Sequence, residues 1–311
     1  MEINENGKGK EYYKNWKIKF KGEYKSWKRW NGQGYDKYGS IEYEISQGNG
    51  IIKEYNDDYD IVKFKGEYIN GEKKGKEYDD NGVLLFEGEY LNDEVYKGKL
   101  YNKNKILIFD GYFLNGEMWN GFKREYNYDD LKFEGEILKG EKNGKGKEYN
   151  YMYQIKFDGE YLNGKRWSGI EKYYDSYKEI SYENHYLNGK KNGICKEYYR
   201  NFGILKFEGE YLNGEKNGKG KEYYPNGILQ IEGEYLNGEK NGKGKEYDTS
   251  GKLKLEVEFL NGIKKYAKLY DDNGNVKYEY EYIIGNSFAK DDKFCDNLCI
   301  NDQYAVSGIY I

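Results

Sequence analysis

One passage of this chain is written nearly twice. Phe207-Glu208-Gly209-Glu210-Tyr211-Leu212-Asn213-Gly214-Glu215-Lys216-Asn217-Gly218-Lys219-Gly220-Lys221-Glu222-Tyr223-Tyr224 recurs almost unchanged from Ile231 to Tyr247. The same frame starts at Phe20, Ile41, Phe64, Phe86, Phe109, Phe133, Phe157, Tyr182, Phe207, Ile231, Leu255 and Tyr278, with successive starts 21 to 25 residues apart. A half-unit, Asn6 to Tyr13, precedes the first. Residues 6–282 therefore read as one array of about twelve units with no linker inside it. A fixed period of this size means small supersecondary units. None of them buries its apolar face alone, and each relies on its neighbours.

Each unit reads as two strands. Phe207 to Tyr211 alternates aromatic, Glu, Gly, Glu, aromatic, the period-two pattern of a strand with one covered face. Asn213-Gly214 and Asn217-Gly218 bracket a turn, because Asn and Gly tolerate positive φ. Lys219 to Tyr224 is the second strand, and Asn226-Gly227 turns the chain into the next unit. Centring the loop between Glu215 and Lys216 predicts Glu210 opposite Lys221 on the outer face. It also predicts Phe207 opposite Tyr224 and Tyr211 opposite Gly220 on the inner face. That register leaves Glu222 among the aromatics unless a bulge reverses it. Glycine weakens a strand unless something approaches the backbone closely, so the recurrence of Gly209 and Gly220 implies rings packed over them.

Composition removes several alternatives. Mean hydropathy is −1.12 and 34% of residues are charged, which in most chains spells disorder. Disordered chains are poor in aromatics, whereas this one has 39 Tyr, 13 Phe and 5 Trp. The 51 basic and 55 acidic residues are interleaved throughout, so there is no basic field for nucleic acid. Three cysteines, Cys195, Cys295 and Cys299, form no disulfide framework. No signal peptide and no apolar run long enough for a transmembrane helix is visible. A cytoplasmic protein is expected, with attachment at a membrane periphery as a variant of that expectation.

The pattern aromatic-x-Gly-x-aromatic-x-Asn-Gly-x-x-x-Gly-x-Gly, with a further Gly about seven residues on, resembles the MORN repeat (membrane occupation and recognition nexus). Phe207, Gly209, Tyr211, Asn213, Gly214, Gly218, Gly220 and Gly227 fit it one by one. So do Ile231, Gly233, Tyr235, Asn237, Gly238, Gly242, Gly244 and Gly251. Where the family often has His before the loop glycine, this chain has Asn143, Asn217, Asn241 or Trp. Units at Ile41 and Tyr182 lack the first glycine. The resemblance implies an all-β, elongated single-layer array of antiparallel hairpins, a twisted ribbon used for scaffolding, oligomerisation or attachment near membranes. Bacterial relatives with looser units resemble antitoxin or surface-protein components.

Catalytic chemistry finds little support. The single histidine, His185, occupies the place of Glu210 in its unit, an outward position. Paired carboxylates recur in nearly every unit, so they belong to the repeat rather than to an active site. Gly-Lys-Gly-Lys runs lack the frame of a phosphate-binding loop. Asp271-Asp272-Asn273-Gly274-Asn275 lacks the closing Glu of a calcium loop and reads as a turn. Cys295 and Cys299 have no further ligands for zinc. No catalytic, cofactor-binding or metal-binding residue is expected.

Tryptophan says more. Trp30, Trp119 and Trp167 each fall ten residues after the start of a unit, just before Asn-Gly or Ser-Gly. Either they form a contact ridge or each packs over its own turn. Trp27, Lys28, Arg29 and Trp30 make the densest aromatic–basic cluster, suited to anchoring a partner or a lipid interface. Residues 1–282 are expected to form the array and 283–311 a small C-terminal cap, with a short helix and a strand near Ala305 to Ile311. The expected function is a non-enzymatic scaffold for protein–protein interaction, with self-association through the array ends. The alternatives are an adaptor at an acidic phospholipid surface and an antitoxin-like component.

Overall fold

The computed structural model describes residues 5–57, 61–200, 202–282 and 306–309. Among these residues there is no helix. Strands pair antiparallel with their sequence neighbours, and the sheet is not closed into a barrel. The chain divides into two units, Met1–Gln154 with Tyr161–Lys165, and Ile155–Glu160 with Arg166–Ile311. The first unit opens with a four-stranded sheet, Gly7–Tyr12, Ile18–Lys25, Lys28–Tyr35 and Ile41–Ile45. A second ladder starts at Gly50–Tyr55 and continues through Val62–Ile69 and Glu72–Tyr78. In the second unit the hairpins follow the same plan, and Val276–Tyr282 pairs with Val306–Ile309. The expected short helix of the C-terminal segment lies outside the described residues.

The hairpin Leu205–Leu212 with Glu215–Tyr223 shows the unit. Asn213 (φ 54°) and Gly214 (φ 101°) are the turn itself, both left-handed as a two-residue hairpin requires. Leu212 pairs with Glu215 and Tyr211 with Lys216, while farther along Gly209 pairs with Gly220, Glu208 with Lys221 and Phe207 with Glu222. The expected register is thus corrected: Glu208, not Glu210, faces Lys221, and glycine faces glycine. Asn217-Gly218 is a bulge within the second strand, with Gly218 at φ 93°. Its two extra residues, together with a turn at Asn213-Gly214, displace the register by two from the expected one and leave Glu222 on the aromatic face.

The bulge varies in size and contributes to the uneven repeat length. Between the Tyr24–Arg29 pair and the Gly22–Gly32 pair there is one extra residue in the second strand. Between Tyr68–Lys73 and Gly66–Gly75 there is none, and between Tyr211–Lys216 and Gly209–Gly220 there are two. The turn end and the glycine end of each hairpin stay constant, and the bulge absorbs the difference.

The core is built on the facing glycines. A Cβ on Gly88 would meet the Lys97 carbonyl oxygen, Gly98 Cα at 2.7 Å and Phe86 Cζ at 2.7 Å. The first aromatic of the unit lies flat over this bare backbone. Phe20, Phe109, Phe133, Phe157 and Phe207 are fully buried in this way, although the sheet is one layer thick. A second aromatic stands edge-on to the first, as in Phe86 against Phe113 (5.7 Å, 80°) and Phe207 against Tyr235 (5.8 Å, 84°). Edge-to-face pairs contribute about 0.5–1.5 kcal/mol beyond their area.

Only the isolated Ser46–Asn49 bridge continues the backbone pairing from Ile41–Ile45 to Gly50–Tyr55. Side chains strengthen this junction. Arg29 is buried and donates from Nε and Nη2 to Glu11 (2.7 and 2.5 Å), and from Nη1 to Glu54 (2.5 Å) and the Tyr43 hydroxyl (2.7 Å). Lys73 donates to the other Glu54 oxygen at 3.0 Å. Burial opposes the charge on Glu54, but Arg29 and Lys73 overcome it and hold the carboxyl well below its ordinary range. Glu11 is lowered too, burial again being outweighed by Arg29 and then Tyr24.

Two predictions follow from this packing. Gly116 has φ +77° and nothing within 4 Å of its Cβ position, so Gly116→Ala costs only backbone strain, roughly 1–2 kcal/mol. Gly88→Ala must displace backbone as well and costs roughly 3 kcal/mol or more. Equal shifts of the two variants in urea denaturation would show that space at the facing glycines is not limiting. At the junction, both carboxyl pKa values are depressed from 4.5, so their stabilisation is complete above that pH and is lost as pH falls through the lowered values. Glu54→Gln leaves Arg29 partly uncompensated and costs roughly 3–5 kcal/mol at neutral pH. Its melting temperature then declines less than that of the parent on acidification below about pH 4. Parallel acid curves would exclude the pair as the source.

Candidate interaction surface

On the inner face, Glu222 sits among the aromatics as the outcome of a bonded set. Tyr235 of the next hairpin donates its hydroxyl to Glu222 at 2.7 Å and Lys240 donates at 3.2 Å. Burial works against the charge, but Tyr235 and Lys240 outweigh it and hold the carboxyl below its ordinary range. The same Tyr-to-Glu bond recurs at Tyr24–Glu11 (2.8 Å), Tyr90–Glu77 (2.6 Å) and Tyr211–Glu197 (3.2 Å). The cation opposite the second large apolar residue of the first strand (Tyr211, Ile137 or Tyr24) lies over the first ring. Lys216 Nζ is 3.5 Å from the Phe207 centroid, Lys142 is 3.9 Å from Phe133, and Arg29 is 4.8 Å from Phe20. Burial lowers the Lys216 pKa. Sequence reasoning missed these cations. Their signal was the basic residue that recurs two positions after the two-residue turn, as in Asn213-Gly214-Glu215-Lys216.

The outer face carries a trough in the second unit, with a volume of about 950 Å³. Its floor is the backbone of Gly209, Gly220, Gly233 and Gly244. One wall is the row Glu208, Lys221, Glu232, Lys245, Glu256 and Lys268, each directly opposite the next across a strand pair. The other wall includes Lys219 opposite Glu234 and Lys243 opposite Glu258. Tyr223 and Tyr247 donate their hydroxyls to Glu208 and Glu232 at 2.8 and 2.7 Å. Burial and then the Glu208 bond push the Tyr223 pKa up to about 12. Alternating charges cancel at a distance, so the trough acts at short range, through its fixed donors and acceptors.

The tryptophans lie in second strands rather than in loops. Trp30 and Trp119 are the single extra residues of their bulges. The carbonyls of Trp30, Trp119 and Trp167 accept from the turn amides of Gly48, Gly140 and Gly189 at 2.7, 2.9 and 2.8 Å. The Trp30 ring covers Gly48, where a Cβ would lie 2.7 Å from it, and Lys25 Nζ stands 4.5 Å from its centroid. Trp119 is half-buried and Trp167 more open. The Trp27–Trp30 cluster is divided: Trp27 is exposed in the turn, Lys28 pairs with Glu72, and Arg29 is buried. Trp16, which sequence reasoning did not single out, is exposed in an inter-unit turn at φ 64°. His185 is half-exposed, 3.8 Å from Glu183, and Cys195 is buried opposite Gly209. Asp271 Oδ1 accepts from the amides of Asn273 and Asn275, a turn. Cys295 and Cys299 lie outside the described residues.

The MORN repeat family model matches residues 133–151, 182–204, 207–228 and 232–252. No curated protein matches. Among solved structures the chain is similar to a crystal structure of TcdB2-TccC3-Cdc42, at 11% identity over 81% of this chain and 15% of that one, with a TM-score of 0.23. It is also similar to a Photorhabdus luminescens Tc holotoxin pore, at 11% identity, 81% and 15% coverage and a TM-score of 0.22. The chain therefore spans only a small part of these much longer chains. No helix among the described residues is long and apolar enough to cross a membrane. MORN repeats are a non-catalytic repeat type, generally serving protein or membrane interaction. With its hairpin units and four matched stretches, this chain is a MORN repeat protein.

Proposed function

We propose that the chain is a non-enzymatic scaffold that binds a protein partner, and that the partner lies in the outer-face trough of the second unit. The observation that carries this reading is the pair of outer-face rows in which Glu and Lys alternate, each paired across the strands. Fixed charges on both sides set the register of a partner with the complementary charge pattern. Capture from native lysate tests the reading with two variants of verified fold. Lys219→Ser with Lys243→Ser reduces recovery of specific proteins about tenfold or more, as expected for lost hydrogen-bonded charges at an interface. Trp30→Ala, Trp119→Ala and Trp167→Ala together leave recovery unchanged. Loss with the tryptophan variant alone would move the surface to the bulges.

One observation favours a membrane surface as the second reading. Trp27 is 62% exposed at the tip of its turn. The neighbouring basic groups are engaged, Lys28 with Glu72 and Lys25 over Trp30, so attachment rests on the indole. Co-sedimentation with acidic liposomes then falls in Trp27→Ala. Undiminished co-sedimentation, or none by the parent, removes this reading.

A further inference from the structure

The unit that begins at Tyr182 departs from the repeat at its core. Where interfaces such as Gly75–Gly88 and Gly220–Gly233 have glycine facing glycine, Glu171 faces Asn184 and Cys195 faces Gly209. Asn184 is buried and donates to Glu171 at 3.0 Å. Tyr182 therefore has no bare glycine pair to cover. It stacks on Tyr173 instead, with centroids 5.1 Å apart and planes 11° apart. Phe20–Tyr24, Phe86–Tyr90, Phe109–Phe113 and Phe133–Tyr161 are by contrast edge-on. Tyr173 stays 49% exposed.

A cavity of about 590 Å³ adjoins this stack. Both tyrosines line it, together with Ser181, Lys191, Arg200 and Lys206. Lys191 Nζ lies 5.7 Å from the Tyr182 centroid. None of these three cations forms an ion pair among the described residues. Two carboxylates also line the cavity, each already engaged. Asp175 accepts from the amides of Tyr177 and Glu179, and Glu197 from the Tyr211 hydroxyl. The site thus joins an exposed aromatic face to a surplus of cationic donors, one of them a planar guanidinium suited to oxyanions.

We propose that this cavity binds a small aryl phosphate, its ring stacked on Tyr173 and its phosphate held by Lys191, Arg200 and Lys206. Three cations without carboxylate partners suit a dianion better than a carboxylate. The volume suits a ligand of mononucleotide or phosphotyrosine size. The site lies outside the trough, so it does not depend on the scaffold reading.

Calorimetric titration of the full chain tests the assignment, with phenyl phosphate, inorganic phosphate and phenol as probes. Phenyl phosphate is expected to saturate and to bind about tenfold tighter than inorganic phosphate, the increment of one stacked ring. Tyr173→Ala reduces phenyl phosphate to the inorganic level, whereas Tyr173→Phe keeps the ring and the affinity. Arg200→Gln with Lys206→Gln, both on exposed residues, abolishes binding of both phosphates. Phenyl phosphate binding no tighter than inorganic phosphate, or binding indifferent to these variants, overturns the proposal. A preference for adenosine monophosphate over free phosphotyrosine assigns a nucleotide as the source of the aryl phosphate, and the reverse assigns phosphotyrosine.

Discussion

A phenylalanine ring lying across two facing glycines is the contact on which the rest of this structure depends. A single layer of sheet has no second layer to bury its aromatic face. Bare backbone supplies the missing surface, because two strands without Cβ atoms let a ring settle against the main chain. The cation above the ring and the tyrosine at its edge close the remaining sides, as Lys216 and Tyr235 do for Phe207. Each hairpin thus carries a small core, completed by its neighbour, and the chain folds despite its very polar composition.

Carboxylates such as Glu222 follow from the same economy. Standing beside the ring, Glu222 accepts from Tyr235 and Lys240, so the polar ends of the closing residues are themselves bonded. The Arg29 junction elaborates this arrangement. A guanidinium in the place of the usual lysine reaches two carboxylates, Glu11 and Glu54, that stand on either side of an interrupted ladder. Position within the repeat explains why a residue that reads as part of a basic surface cluster is fully enclosed.

Departures from the pattern carry the information about function. The trough is the repeat at its most regular, where rows of Glu and Lys paired across the strands run along the outer face. The cavity beside Tyr173 is the repeat at its least regular, where Asn184 and Cys195 stand in the place of glycine and a ring turns outward to stack. The two surfaces suit different ligands, an extended chain in one case and a compact anion with a flat face in the other.

By itself the sequence determined the repeating hairpin, the all-β class and the packing of rings over Gly209 and Gly220, since each is a local pattern of period two broken by residues that tolerate positive φ. It also carried the family resemblance. Only the tertiary structure decided the register, because a bulge of zero, one or two residues shifts which side chains face each other, and the spacing of the units does not say where the extra residues are absorbed. That shift set Glu208 rather than Glu210 against Lys221, placed Trp30 and Trp119 as bulge residues, and enclosed Arg29. The Tyr173–Tyr182 stack was hidden for the same reason. The missing glycine at Asn184 was visible, but where the displaced ring would go depended on the strand beside it.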